Sequence, residues 1–176
     1  MEVARVSVKL RSASGQADAD ADAVGALLRE HGPNQWNWLP EDGVATTLAE
    51  LALGVSHAEL AVGDAGALLG ALVWRFEDRY PALRPTELPS DQAVFVVEAV
   101  VHRDAAGQGL GVKLLNAAIA AARRAGATWL VADRHDENAA SAGMMRKAGM
   151  VEIDNYADPA RRPAGNRRSA VCAIHL

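Results

Sequence analysis

The stretch VVEAVVHRDAAGQGLGVKLL, residues 96–115, decides the fold. It opens inside an apolar run, Ala93–Val101, whose β-branched residues suit a buried central strand. Glycines follow at 107, 109 and 111, and a helix is expected over Gly109–Ala125, closed by Gly126 with Arg123 and Arg124 in its last turn. Glycine tolerates positive φ and lets the backbone approach a ligand, so successive N–H groups can converge on one anion. The unpaired N–H groups and positive dipole end of the helix add to such a site. Gln108, Gly109, Leu110, Gly111 and Val112 are therefore expected to form a main-chain pyrophosphate cradle, with Lys113 in the same turn. A glycine-rich turn between strand and helix can also be purely structural.

The identity of the anion follows partly from exclusion. A P-loop needs G-K-[ST], which does not occur in the chain. A dinucleotide site needs G-x-G-x-x-G, whereas this loop reads G-x-G-x-G. Asp133 sits after the next strand at about the spacing of a ribose-binding acid, but too little chain follows it for the remaining β-α units of a Rossmann sheet.

Working outward, Val3–Leu10 reads as a first strand, and Asp20–His31 and Gly43–Leu53 as helices. The alternating QADADADA at 16–23 places carboxylates at a helix entry. His57–Val62 and Ala67–Phe76 read as a hairpin turning at 63–66. Residues 79–92, RYPALRPTELPSDQ, read as a loop of lid-like length. Downstream come a strand at Trp129–Ala132, a helix at Asn138–Ala148 and strands at Val151–Tyr156 and Ser169–His175. An arginine-rich loop at 158–168 joins the last two. The order β-α-α-β-β-β-α-β-α-β-β predicts a mixed α/β sheet with helices on both faces, in one domain spanning 1–176.

Composition narrows the function classes. One cysteine, Cys172, cannot close an internal disulfide, and no Cys/His spacing resembles a zinc site, so no metal is expected. The opening MEVARVSVKL lacks the basic-then-apolar pattern of a signal peptide, and no apolar stretch approaches membrane-spanning length; a cytoplasmic protein without a membrane partner is expected. The net charge of −4 argues against nucleic acid as a partner. Residues 1–100 carry 7 Lys/Arg against 15 Asp/Glu, and residues 101–176 carry 11 against 7. That split fits a second half holding a polyanion and a first half facing something cationic, though uneven solvated faces also produce it.

The stretch AVVHRDAAGQGLGVKLL resembles motif A of the GNAT N-acetyltransferases, [QR]-x-x-G-x-[GA] after the fourth strand, and NAASAGMMRKAGM at 138–150 is similar to their motif B. The inferred element order matches that family along essentially the whole chain. The resemblance implies a mostly antiparallel sheet whose fourth and fifth strands splay apart, with acetyl-CoA as co-substrate and a primary amine, of a small molecule or a protein, as acceptor. It also implies a homodimer. Carried over, main chain near Val100, Val101 and His102 would pair with pantetheine, Gly107 to Val112 would hold the pyrophosphate, and Asn138 would bond the pantetheine arm. Asn138 also suits a helix N-cap.

Two positions depart from the family pattern. Ala106 stands where Arg or Gln opens motif A. Met145 stands where a Tyr often protonates the leaving thiolate. Glu98, the one acid in the apolar run, is the first candidate base, since burial would raise its pKa toward a useful range; pairing with an arginine, or exposure at a bulge, is the competing role. His102 is a second candidate base and otherwise a loop histidine. Tyr156 is the candidate acid in place of Met145, with packing as its alternative. In the loop GPNQWNWLPEDG, Trp36 and Trp38 are candidate walls for the acceptor, by apolar and cation–π contact, or else anchors of the loop. An alternative function motivated by Ala106 and Met145 is an acyl-CoA-binding protein with weak catalysis, acting as a sensor or complex subunit.

Overall fold

The computed structural model describes residues 7–13 and 17–176. Its strands are β1 (Val8–Ser12), β2 (His57–Gly63), β3 (Leu68–Phe76), β4 (Ala93–Val101), β5 (Trp129–His135), β6 (Val151–Ala157) and β7 (Arg168–His175). Its helices are α1 (Ala17–His31), α2 (Glu41–Ala52), α3 (Leu110–Arg124) and α4 (Ala139–Lys147). Residues 3–6 of the expected first strand lie outside the described residues. The strand extends instead through Ser12, and Arg11 holds Asp20 of α1 through two hydrogen bonds of 2.7 and 2.8 Å.

One sheet runs in the order β1-β2-β3-β4-β5-β7-β6, and every neighbouring pair is antiparallel except β4 and β5. Helices cover both faces. On one side α1 and α2 bury Val24, Leu28 and Val44 against Leu60, Ala71 and Val73. On the other, α3 presents a stripe of Leu114, Leu115, Ala118, Ile119 and Ala122 to Leu72, Trp74, Val94 and Leu130. That i, i+4, i+8 spacing is why the helix adopts this orientation.

The parallel pairing is short. Ala93, Val94 and Phe95 pair with Trp129, Leu130 and Val131, and pairing then stops although both strands continue. At this point β4 carries a bulge: Val73 faces Glu98 but Trp74 faces Val96, so Val97 is the extra residue. The bulge reverses which side chains face which helices. Val94 and Val96 pack toward α3, whereas Val100 packs with α1 and α2 and Val101 toward α3. Glu98, two residues before Val100, therefore points to the α1/α2 face. Without the bulge it would share the α3 face with Val96.

The 79–92 segment is a loop, as expected, but an inward-folded one. Tyr80, Leu83 and Leu88 pack on Phe95, Trp129 and Val131, covering the part of the sheet that α1 and α2 leave open. Arg84 stitches it by bonds to Asp78 and to the carbonyls of Pro85 and Leu88.

Candidate active site

Where β4 and β5 part, a cavity of about 710 Å³ opens, lined from both faces of the sheet. From the α1/α2 face come Glu98, Asp133, Arg161 and the loop carrying Trp36 and Trp38; from the other come Leu115, Ala132, Met144 and Met145. His102 donates its N–H to Leu69 O at 2.8 Å, so residues 98 and 100 spend their main-chain bonds on β3. The N–H and C=O groups of Ala99 and Val101 face the gap instead. Of the three residues expected to pair with pantetheine, Val101 has the required direction; the main chain of Val100 is committed to β3, and that of His102 to Leu69 O and, through its carbonyl, to Ala105 N at 2.9 Å.

The gap leads to the glycine loop. Gly107 and Gly109 have φ of +76° and +74°, and a Cβ at either would meet nothing within 4 Å. Glycine is required there for conformation, not for space. The first helical bond runs from Lys113 N to Gly109 O, and no side chain caps the helix. The N–H groups of Leu110, Gly111 and Val112 therefore point out of the helix start. The Leu110 side chain is buried, so only its main chain can serve a ligand. This arrangement fits a pyrophosphate. Asn138 caps α4 by accepting from Ser141 N at 3.1 Å, and it also lines the cavity. The His102 ring stacks on His31 at 3.9 Å and accepts from Asp104 N, the role of a loop histidine.

Glu98 lines the cavity, and its carboxyl makes no hydrogen bond or ion pair to the described residues. Burial and then the charge of Asp133 push its pKa up to about 7, against the opposing pull of Arg161 and Arg162. Asp133 is the opposite case. Its burial is outweighed by a two-pronged bond from Arg161 (2.8 and 3.0 Å), a bond from Arg162 (2.8 Å) and the hydroxyl of Tyr80 (2.5 Å), which hold it below the usual carboxylate range. Arg162 also donates to Ser169 Oγ, which donates to Asp158. Two arginines and two aspartates thus form one balanced cluster beside Glu98.

Tyr156 is not among the residues lining the cavity. Its hydroxyl lies 3.1 Å from that of Tyr80, behind Asp133, which makes it a member of this cluster rather than a neighbour of the cavity. Trp36 and Trp38 both line the cavity. Trp36 also packs on the His135 ring at 4.6 Å, whereas Trp38 is 57% exposed. The residues that sequence reading missed here are Tyr80, Arg161 and Arg162, all from loops. Asp133 was read there only as a possible ribose ligand. Met145 is buried in the core, so its position supplies no proton donor.

The family model of the acetyltransferase (GNAT) family matches residues 26–150. The chain belongs to the GNAT acetyltransferase family. Acetyl-CoA is that family's co-substrate. Solved structures agree in fold. A GNAT-family acetyltransferase from Streptococcus pneumoniae superposes with a TM-score of 0.73 at 18% identity, over 97% of this chain and 100% of that one. An N-acetyltransferase from Staphylococcus aureus Mu50 gives 0.73 at 16%, over 96% and 98%. A phosphinothricin acetyltransferase from Sinorhizobium meliloti, solved in complex with AcCoA, gives 0.73 at 17%, over 96% and 88%. Among curated proteins, none matches this GNAT chain by sequence. Among its described residues, no helix is long and apolar enough to cross a membrane.

Proposed function

We propose that this GNAT chain transfers the acetyl group of acetyl-CoA to a primary amine, with Glu98 as the base. The observation that carries this reading is the unpaired Glu98 carboxyl on a cavity whose other end reaches Ala106, at the start of the glycine loop. A base with a pKa near the working pH combines the right protonation state with useful proton affinity. Glu98 takes a proton from the incoming ammonium group, directly or through a water. The neutral amine forms the N–C bond as the C–S bond breaks. The second amine proton then leaves, and the thiolate takes one from solvent. Free thiols ionise at about 8.5, so the sulfur can depart without a dedicated side-chain acid, which suits Met145. Main chain of Val101 and of residues 107–112, with Asn138, would hold the donor; much of the rate then comes from placement.

The test is Glu98→Gln with an amine panel, following thiol release. The variant is expected to lose at least about a hundredfold in kcat/KM, while acetyl-CoA raises the melting temperature as it does in the wild type. Wild-type kcat/KM should rise with pH and level off above about 7, the value to which Glu98 is raised. Undiminished turnover in the variant would remove Glu98 from the mechanism. A melting shift without thiol release from any amine would favour the second reading, an acyl-CoA-binding protein without turnover, for which buried Met145 speaks.

A further inference from the structure

The charges around the cavity limit what acceptor it can take. Three arginines line it, and the charge of each is already paired, although the buried Nε of Arg134 has no hydrogen-bond partner among the described residues. Arg161 and Arg162 are held by Asp133, with Asp158 completing the cluster. Arg134 bonds Glu152 at 2.8 Å and the carbonyls of His135 and Asp136. The two lining histidines are also engaged. His31 Nδ1 accepts from Arg103 N, and His135 Nδ1 accepts from Glu137 N while its Nε2 faces Ala164 O at 2.8 Å. Asp133, the other lining acid, is enclosed by Arg161, Arg162 and Tyr80. Among the described lining residues, the one ionisable side chain without a hydrogen bond or ion pair is Glu98.

Apart from the balanced cluster of Asp133, Arg161 and Arg162 beside Glu98, the acceptor side is lined by neutral groups: Trp36, Trp38, Gln35, Asn34, Asn37 and Val97. A cationic amine finds a carboxylate and two indoles there. An acceptor that also carries a carboxylate, as an α-amino acid does, would bring a second negative charge beside Glu98 with no free cation to receive it. We infer that the acceptor is an amine with an apolar or aromatic body and no carboxylate of its own, held by Trp38 and Trp36 with its nitrogen toward Glu98. This inference rests on the acetyl-transfer reading above and narrows it.

The experiment compares matched pairs with the full chain at saturating acetyl-CoA, following thiol release: tryptamine against tryptophan, and phenethylamine against phenylalanine. Juxtaposed like charges at a binding surface cost several kcal/mol, so the amine of each pair should exceed its amino acid in kcat/KM by at least about a hundredfold. Trp38→Ala should raise KM for tryptamine while leaving KM for acetyl-CoA unchanged. Gln35, an exposed lining residue, supplies the converse: Gln35→Arg provides the missing cation and should narrow the tryptamine-to-tryptophan ratio at least about fivefold. Equal or better use of the amino acids by the wild type would overturn the acceptor class and leave acetyl transfer standing. A ratio unmoved by Gln35→Arg would overturn the charge argument. No thiol release with either member of any pair, where other amines of the panel do release thiol, would overturn the acceptor class and leave acetyl transfer standing; no release from any amine would overturn both.

Discussion

Glu98→Gln should make the protein more stable at alkaline pH while disabling it. In the unfolded chain Glu98 titrates near the usual 4.5, and in the folded chain near 7, chiefly because burial penalises its charge. Between those values the folded state keeps a proton that the unfolded state has lost. The fold is therefore most favoured by this group below 4.5, loses stability as pH rises through about 7, and is flat above. A difference of about 2.5 in pKa, at 1.36 kcal/mol each, corresponds to roughly 3 kcal/mol at pH 8, less whatever water in the cavity screens. Gln is isosteric and uncharged, and removes that cost. In a protein of this size 1 kcal/mol moves the melting temperature by about 2–4 °C. Melting both proteins from pH 4 to 9 should show curves that coincide at pH 4, diverge through 5–7, and differ above pH 8 by at most about 10 °C in favour of the variant. A variant no more stable than wild type at pH 8, or a difference independent of pH, would refute the half-buried carboxylate without a hydrogen-bond partner. The assay needs no acceptor.

Three further substitutions follow, two in the site and one in α4. Asp133→Asn leaves Arg162, whose side chain is 9% exposed, without its carboxylate; breaking such a buried pair costs about 3–5 kcal/mol, so calorimetry should record a fall of roughly 6–20 °C. In any active fraction the pH inflection of kcat/KM should move down, since a negative charge near Glu98 is lost and two positive ones are freed. Gly109→Ala meets no atom but forces a side chain onto φ +74°. A loss of about 1–2 kcal/mol is expected, together with a weaker acetyl-CoA melting shift as the cradle distorts. Gly143→Ala, within α4 and clear of close contacts, should instead gain up to about 1 kcal/mol.

Much of the fold was legible because its signals are local. The apolar run of β4, the 3.6-residue stripe of α3 and the glycines that open and close that helix each constrain a few neighbouring residues, and so does the Asn138 cap. The site was legible where it depends on main chain, as at 107–112, or on a charge out of place, as at Glu98. It was not legible where it depends on loops folding inward. Tyr80 reaches Asp133 across 53 positions, and nothing in RYPALRPTELPSDQ separates a lid from a packed cover. The strand β5 continues three polar residues, Asp133, Arg134 and His135, past the end expected at Ala132. All three are shielded by partners from distant loops or neighbouring strands, a tertiary effect that local pattern does not contain. Of the two roles open to Tyr156, substitute acid or packing, the contact with the Tyr80 hydroxyl fits the second. Tyr80 lies in the loop whose length alone suggests a lid.

The bulge at Val97 has a consequence for how this enzyme can be altered. An unbroken alternation with Val97 retained would send the Glu98 carboxylate into the oily interior beneath α3. The bulge thus selects the chamber in which the carboxylate sits. Substituting Val97 by another apolar residue should be absorbed quietly. Deleting it would leave Glu98 directly after Val96, where plain alternation still turns the carboxylate to the α1/α2 side. Losing the bulge with Val97 still in place, by a one-residue slip of β4 against β3, would instead roll the carboxylate through to the α3 side. Libraries that vary length along β4 are therefore to be judged by the pairing they leave, not by the residue they remove.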